Sequence, residues 1–210
     1  MNMMVVIGLG KTGYSCVRFL VNKGKRIVVC DTRENPPMLV SLRKEFPGVE
    51  FISGPLNPDI LKQAEEIVLS PGLSLRDSAI QSALSAGVRV IGDIDLFCRE
   101  VSAPIVAITG SNAKSTVTTL VGDMARTASI EVAVGGNIGT PVLDLLKEKE
   151  KQLYVLELSS FQLETAHELA AEVATILNIS PDHMDRYANL DAYVDAKLRI
   201  YRGAKNVVFS

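Results

Sequence analysis

Short runs of β-branched and other apolar residues recur along the chain, separated by stretches of helical period. The runs are Met3–Ile7, Ile27–Cys30, Ile67–Leu69, Val88–Ile91, Ile105–Ile108, Glu131–Val134, Leu153–Leu158, Val173–Leu177 and Asn206–Phe209. Each is too short for a helix and mostly continuous in its hydrophobicity, which predicts strands covered on both faces. Between them lie amphipathic segments. Val117, Leu120, Val121, Met124 and Ala128, at spacings of three and four, predict a helix over Lys114–Ala128. Strand and helix alternating from end to end is the pattern of an α/β protein with parallel sheets.

A loop suited to a nucleotide follows the first strand of each half, near Gly8 and again near Gly110. Two such starts predict two α/β domains, 1–98 and 99–210, with the joint near Cys98–Pro104, where Pro104 precedes a fresh buried strand. At the other end, Asn206–Ser210 reads as a strand entered and then cut off, so the expectation is a fragment of a longer chain.

Composition narrows the function classes. The chain has 210 residues, of which 47% are hydrophobic and 22% charged, enough apolar material for packed cores and against disorder. Its formal charge is -2 and it has no Trp, which removes nucleic-acid binders from the front rank. Cys16, Cys30 and Cys98 are odd in number and far apart, neither a disulfide framework nor a zinc site. With no basic leader ahead of Gly8 and no apolar run near the ~20 residues of a membrane span, the expected location is cytoplasmic, with no membrane partner.

Gly8-Leu9-Gly10-Lys11-Thr12-Gly13 fits G-x-G-x-x-G directly after a strand and opens a helix. Glycines there allow a tight turn, and the helix start offers N–H groups to a diphosphate. Lys11 adds positive charge. The pattern alone does not choose the nucleotide, and an NAD-dependent oxidoreductase would account for it. Asp31 ends the second strand, where an acid meets a ribose or base; a solvated residue starting the turn Asp31–Pro37 accounts for it equally well.

Thr109-Gly110-Ser111-Asn112-Ala113-Lys114-Ser115-Thr116 is the sharper signal. A lysine and then a hydroxyl at a helix start suit a nucleoside triphosphate, the ammonium on its phosphates and the hydroxyl on Mg2+. The full glycine spacing is missing, because Ile108 and Ala113 hold those positions, and a plain helix cap by Ser111 or Asn112 is the competing reading. Glu157 closes a buried strand at the edge where α/β sheets bind ligands, which favours Mg2+ coordination over a sheet-edge ion pair. His183 sits past the strand Val173–Leu177; alone it reads as a surface or structural histidine, and metal ligation is the lesser reading. His167 reads as solvated surface on a helix. Lys197 shares a helical stripe with Leu190, Tyr193, Val194, Leu198 and Tyr201. Snorkelling is the plainer reading, and a desolvated amine of lowered pKa the functional one.

With these strings in register, from GLGKTG, DTR, SPG and GDIDLFCRE through ITGSNAKSTVTTLVG to GGNIGTP, LYVLELSSFQLE, DHMDRY and AKLRIY, the chain resembles the Mur ligases along all 210 residues. These are ATP-dependent enzymes that build the peptidoglycan stem peptide. The resemblance implies a Rossmann-like, parallel-sheet first domain that takes the UDP end of the substrate, and a P-loop-type α/β ATP-binding central domain, incomplete here. Lys11 and Thr12 would lie at the diphosphate, Asp31, Thr32 and Arg33 near the uracil, and Gly72 in the same pocket. Asn137, Ser159 and Gln162 would hold the sugar–alanine part. Gly110, Ser111, Asn112, Ala113, Lys114, Ser115 and Thr116 would form the ATP loop, with Ser115 and Glu157 on one Mg2+. Glu157 and His183 would help hold a second Mg2+ beside Lys197, which is carbamylated in this family. The implied substrates are UDP-N-acetylmuramoyl-L-alanine, ATP and D-glutamate, joined through an acyl phosphate.

Two departures stand out. Ala113 occupies a position where the family usually has Gly, at a cost of roughly 1 kcal/mol if φ there is positive. The family also has a third domain that contacts the amino-acid substrate. The chain by itself is therefore expected not to turn over, which leaves a nucleotide-binding module as the strongest rival description.

Overall fold

The computed structural model describes residues 3–147 and 149–209, which fall into two compact units, Met1–Asp93 and Ile94–Ser210. The first unit runs β1 (Met3–Ile7), α1 (Lys11–Asn22), β2 (Arg26–Asp31), α2 (Leu39–Glu45), β3 (Glu50–Ser53), α3 (Pro58–Lys62), β4 (Glu66–Leu69), α4 (Ser78–Ser85) and β5 (Arg89–Ile91). Its strands pair in parallel in the order β3-β2-β1-β4-β5. Strand order reverses between β1 and β4, so the loops after these two strands flank the crevice where such sheets take ligands. One face of the sheet packs Val5, Ile7, Ile67 and Leu69 against Leu61 and Ile80 of the covering helices. Burying each of these large side chains contributes roughly 1.5–3 kcal/mol.

In the second unit α5 (Asp93–Cys98), which starts at the boundary, is followed by β6 (Ile105–Thr109), α6 (Lys114–Thr127), β7 (Val132–Gly136) and a 3-10 turn at Val142–Lys147. Then come β8 (Leu153–Glu157), α7 (Ser160–Leu163), β9 (Val173–Ile176), α8 (Leu190–Leu198), a second 3-10 turn at Arg199–Tyr201 and β10 (Asn206–Phe209). The parallel order is β10-β9-β6-β8-β7. β6 lies at the centre, flanked by β8 and β9, so whatever follows these three strands converges on one edge. α5 is fixed within this unit: Asp95 accepts from the His167 and Glu168 N–H groups at 2.7 and 2.8 Å, and Arg99 forks onto Glu168.

The fold class expected from the sequence is the one observed, two parallel-sheet α/β units. Several local expectations change. β3 was not expected, because Glu50-Phe51-Ile52-Ser53 is a four-residue edge strand with exposed ends and no continuous apolar run. The strand expected at Glu131–Val134 slides to Val132–Gly136, its last two positions being glycines that pass tight against the Thr140 and Glu157 carbonyls. α6 does not bury its large apolar stripe: Leu120 and Met124 are 56% and 62% exposed, and the buried face is Thr118, Gly122 and Ala125. A Cβ on Gly122 would lie 2.4 Å from Val134 Cγ2, so the helix sits too close to the sheet for anything but small residues. β10 forms one edge of the second sheet, with Val208 52% and Phe209 79% exposed.

The first glycine loop obeys a similar constraint. Gly8 has φ +94°, and a Cβ on Gly13 would fall 1.8 Å from the Gly8 carbonyl oxygen, whereas one on Gly10 would meet nothing within 4 Å. Gly13→Ala is therefore expected to cost about 3 kcal/mol through overpacking, and Gly10→Ala less than about 1 kcal/mol. Urea denaturation of the two variants checks this, and equal losses would refute the account of the loop.

Candidate functional site

In the first unit Gly10 precedes α1 with no side-chain cap, so the helix start carries uncapped N–H groups beside Lys11 and Thr12. The loop is tied down from behind. Ser70, just past β4, donates its hydroxyl to the Gly8 carbonyl at 2.9 Å, and Asp31 accepts from the Leu9 N–H at 2.7 Å. Asp31 is not the solvated turn residue that was the alternative to a ligand contact. It is 1% exposed, and Arg33 forks onto both its oxygens at 2.8 and 2.7 Å while donating its backbone N–H at 2.9 Å. Burial works against its charge, but the hydrogen bonds of Arg33 and Leu9 and the guanidinium charge outweigh it, holding the carboxyl below its usual range. Asp31 thus joins the glycine loop to Arg33, whose side chain is half exposed; Thr32 beside it and Gly72 on the loop after β4 are exposed.

In the second unit the carboxyl ends of β6, β8 and β9 meet. The phosphate loop leaves β6 and enters α6 through Ala113, which has φ 62° and makes no side-chain cap. Neither Ser111 nor Asn112 caps the helix, so the capping alternative fails and the helix start keeps its N–H groups uncapped beside Lys114, Ser115 and Thr116. Lys114 Nζ curls back onto the Ser111 carbonyl at 3.0 Å. Ser115 donates its hydroxyl to Glu157 Oε2 at 2.7 Å, and the Asn137 amide donates to Oε1 at 2.7 Å. Glu157 is 2% exposed at the carboxyl end of an interior strand, and the partners of its two oxygens are neutral donors, not the cation of the ion-pair alternative. Ser159 and Gln162 cap α7 reciprocally, the Gln162 N–H on Ser159 Oγ and the Ser159 N–H on Gln162 Oε1, both at 3.2 Å.

Lys197 does not snorkel. It is 1% exposed, donates to the Gly110 carbonyl at 2.8 Å and to Thr109 Oγ1 at 3.3 Å, and its ammonium lies 4.7 Å from the centre of the Tyr193 ring. Burial, and then the like charge of Lys114, push its amine down to about 8, with Asp182 pulling the other way. Of the expected stripe Tyr193 is buried with it and Val194 and Tyr201 are half-buried, whereas Leu190 is 39% and Leu198 45% exposed; Tyr193, Ala196 and Lys197 form the inward face. His183 is exposed, has φ 54°, and rests its ring on Phe161 at 4.8 Å with Nε2 3.6 Å from Asp182. His167 is exposed as expected but lies in a bend, not a helix.

Sequence reasoning missed the groups that shape the loop from β9. Asn178 accepts from the Ser111 N–H at its carbonyl and from the Asn112 N–H at its side-chain oxygen, and its amide returns a bond to the Asn112 carbonyl. Ser180 and Tyr193 both bond Ser111 Oγ at 3.0 Å. For Asn178 a signal was available, a polar residue directly after a buried run, the same signal that singled out Glu157.

Two family models match, Mur ligase MurD-like, N-terminal domain over residues 2–92 and Mur ligase middle domain over residues 108–209. The chain belongs to the Mur ligase family. It is 60% identical over 206 residues to a UDP-N-acetylmuramoylalanine--D-glutamate ligase of Pseudomonas fluorescens, covering 98% of this chain and 46% of that protein. A ligase of the same name from Pseudomonas aeruginosa is 61% identical over 97% of the chain and 45% of its own length. The chain thus spans less than half the length of these Mur ligases. Among solved structures, the UDP-N-acetylmuramate:L-alanyl-gamma-D-glutamyl-meso-diaminopimelate ligase from Neisseria meningitides matches the whole chain and 71% of its own, with TM-score 0.62 at 17% identity. A murein peptide ligase from Psychrobacter arcticus matches with TM-score 0.58 at 18% identity, covering 49% of its own chain. Both share the Mur ligase fold.

Ala113 in a left-handed conformation carries a penalty that glycine relieves. Ala113→Gly is expected to raise unfolding stability by about 1 kcal/mol, seen as a higher urea midpoint; an unchanged or lower midpoint would show that the loop relaxes at no cost. Lys197 gives a pH signature. Its folded pKa, about 8, lies below the 10.5 of an exposed amine, so between these values the unfolded chain binds a proton that the folded chain has released. Stability then rises with pH across that window. Lys197→Met should flatten the rise, measured as urea midpoints from about pH 7.5 to about pH 10.

Proposed function

We propose that this chain supplies the UDP-substrate and ATP sites of a ligase that joins D-glutamate to UDP-N-acetylmuramoyl-L-alanine in peptidoglycan precursor synthesis. The observation that carries the reading is the cluster at the carboxyl end of β6: an uncapped helix start, Lys114, and Ser115 bonded to a buried Glu157 at 2.7 Å. The curated relatives bear the corresponding name at 60% identity.

The residues do the following. The N–H groups at the start of α6 receive the β- and γ-phosphates of ATP, and Lys114 leaves the Ser111 carbonyl to neutralise them. Ser115 and Glu157 are hard oxygen donors already in contact, a set that fits Mg2+. Among the described residues no three His, Cys, Asp or Glu side chains converge. A second Mg2+ at Glu157 and His183 therefore depends on Lys197 as a carbamate, and the lowered amine pKa favours the neutral form which that modification requires. Bound Mg2+ would offset charge on the phosphoryl group passing to the alanine carboxylate. ADP departs as the acyl phosphate forms; the amine of D-glutamate then attacks its carbonyl carbon, and phosphate leaves as the amine gives up a proton. In the first unit the start of α1, with Lys11 and Thr12, takes the diphosphate; Thr32, Arg33 and Gly72 line the uracil end. Asp31 serves there through Arg33 and the Leu9 N–H. Asn137, Ser159 and Gln162 take the sugar–alanine part. The reaction is one of soluble cytoplasmic substrates, and no helix among the described residues is long and apolar enough to cross a membrane.

Isothermal titration tests the reading directly. UDP-N-acetylmuramoyl-L-alanine should bind and NAD should not; the reverse would return the first loop to an oxidoreductase. MgATP should bind the unaltered chain, and Lys114→Ala should weaken it at least about tenfold while leaving the UDP-sugar affinity as it was.

A further inference from the structure

Two residues one turn apart on α8 land on consecutive residues of the phosphate loop. Lys197 Nζ donates to the Gly110 carbonyl at 2.8 Å, and the Tyr193 hydroxyl lies 3.0 Å from Ser111 Oγ. Ser111 Oγ already donates to the Ser180 carbonyl and accepts from the Ser180 N–H, both at 3.0 Å. A serine hydroxyl has one proton and two lone pairs, so Tyr193 is the donor in this bond and the capacity of Ser111 is full. The Ser111 side chain consequently faces the protein and has nothing left for a phosphate. Tyr193 is 1% exposed, is held edge-on by Tyr187 at 5.2 Å, and turns its ring toward the Lys197 ammonium at 4.7 Å.

We propose that Tyr193 is a positioning residue for the nucleotide: its hydroxyl fixes Ser111, and with it the turn into α6. The proposal rests on the ATP reading above. Tyr193 touches no ligand. It acts because a loop whose N–H groups already point the right way spends no binding energy on becoming ordered. Without the phenol hydroxyl, Ser111 Oγ keeps only its bonds to Ser180 and a buried lone pair goes unmet.

Tyr193→Phe removes that one bond and keeps the ring. It should weaken MgATP binding about 5- to 10-fold by isothermal titration, with UDP-N-acetylmuramoyl-L-alanine affinity unchanged. In the ligand-free protein the Asn112 N–H, which bonds Asn178, should exchange faster with solvent. Ser111→Ala should weaken MgATP as well, and adding Tyr193→Phe to it should have no further effect, because the two act through one bond. Unchanged MgATP affinity in Tyr193→Phe, or additive losses in the double variant, would overturn the proposal. An equal fall in UDP-sugar affinity would mark a global effect and overturn it too. If the unaltered chain takes up no MgATP, the ATP reading itself fails and this role goes with it, an outcome distinct from a variant that binds as well as its parent.

Discussion

A lysine ammonium buried at the carboxyl end of the central strand sets the terms for everything around it. Lys197 has to find acceptors where water is excluded, and the nearest are the Gly110 carbonyl and the Thr109 hydroxyl. Thr109 in turn donates its hydroxyl to the Leu158 carbonyl at 2.6 Å, which binds the ends of β6 and β8 together. The phosphate loop thus begins from a point fixed on two sides, and Asn178 fixes the next two residues from β9. A strand order that puts β6 between β8 and β9 is what lets one loop be held from both neighbours at once.

The first unit solves the same problem with opposite charge. There a buried carboxylate, Asp31, supplies the acceptors, and its partners are the Leu9 N–H of the glycine loop and the Arg33 fork. In both units a charged side chain that is almost wholly buried orders a loop from behind and leaves the outward face of that loop to a ligand. Ser70 and Ser111 play matching parts, small hydroxyls that donate to the Gly8 and Ser180 carbonyls. Such arrangements are costly to half-complete, since each missing bond strands a buried polar atom.

How much of this could be read from the sequence follows from the range of the interactions. Period and strand content gave the two parallel sheets, and the residues after β1, β6 and β8 gave the glycine loop, Lys114, Ser115 and Glu157, because each is local to one strand end. Lys197 was visible as a misplaced charge, but its fate was not, since burial against Gly110 joins residues far apart in the chain. Ser180 and Tyr193 were missed for the same reason: a serine and a tyrosine carry no pattern until the sheet aligns them. The α6 stripe misled because hydrophobicity reports which residues avoid water, whereas the close approach of Gly122 to Val134 selects for size.

Among the described residues β10 is the outermost strand at one side of the second sheet, with Val207, Val208 and Phe209 all more than a third exposed. It carries no proline, lysine or bulge to discourage a visitor. Protein edges usually hold such a device, since an open apolar strand is a template for any other strand of the right length. That exposed row makes β10 the place in this unit where a further strand can add to the sheet.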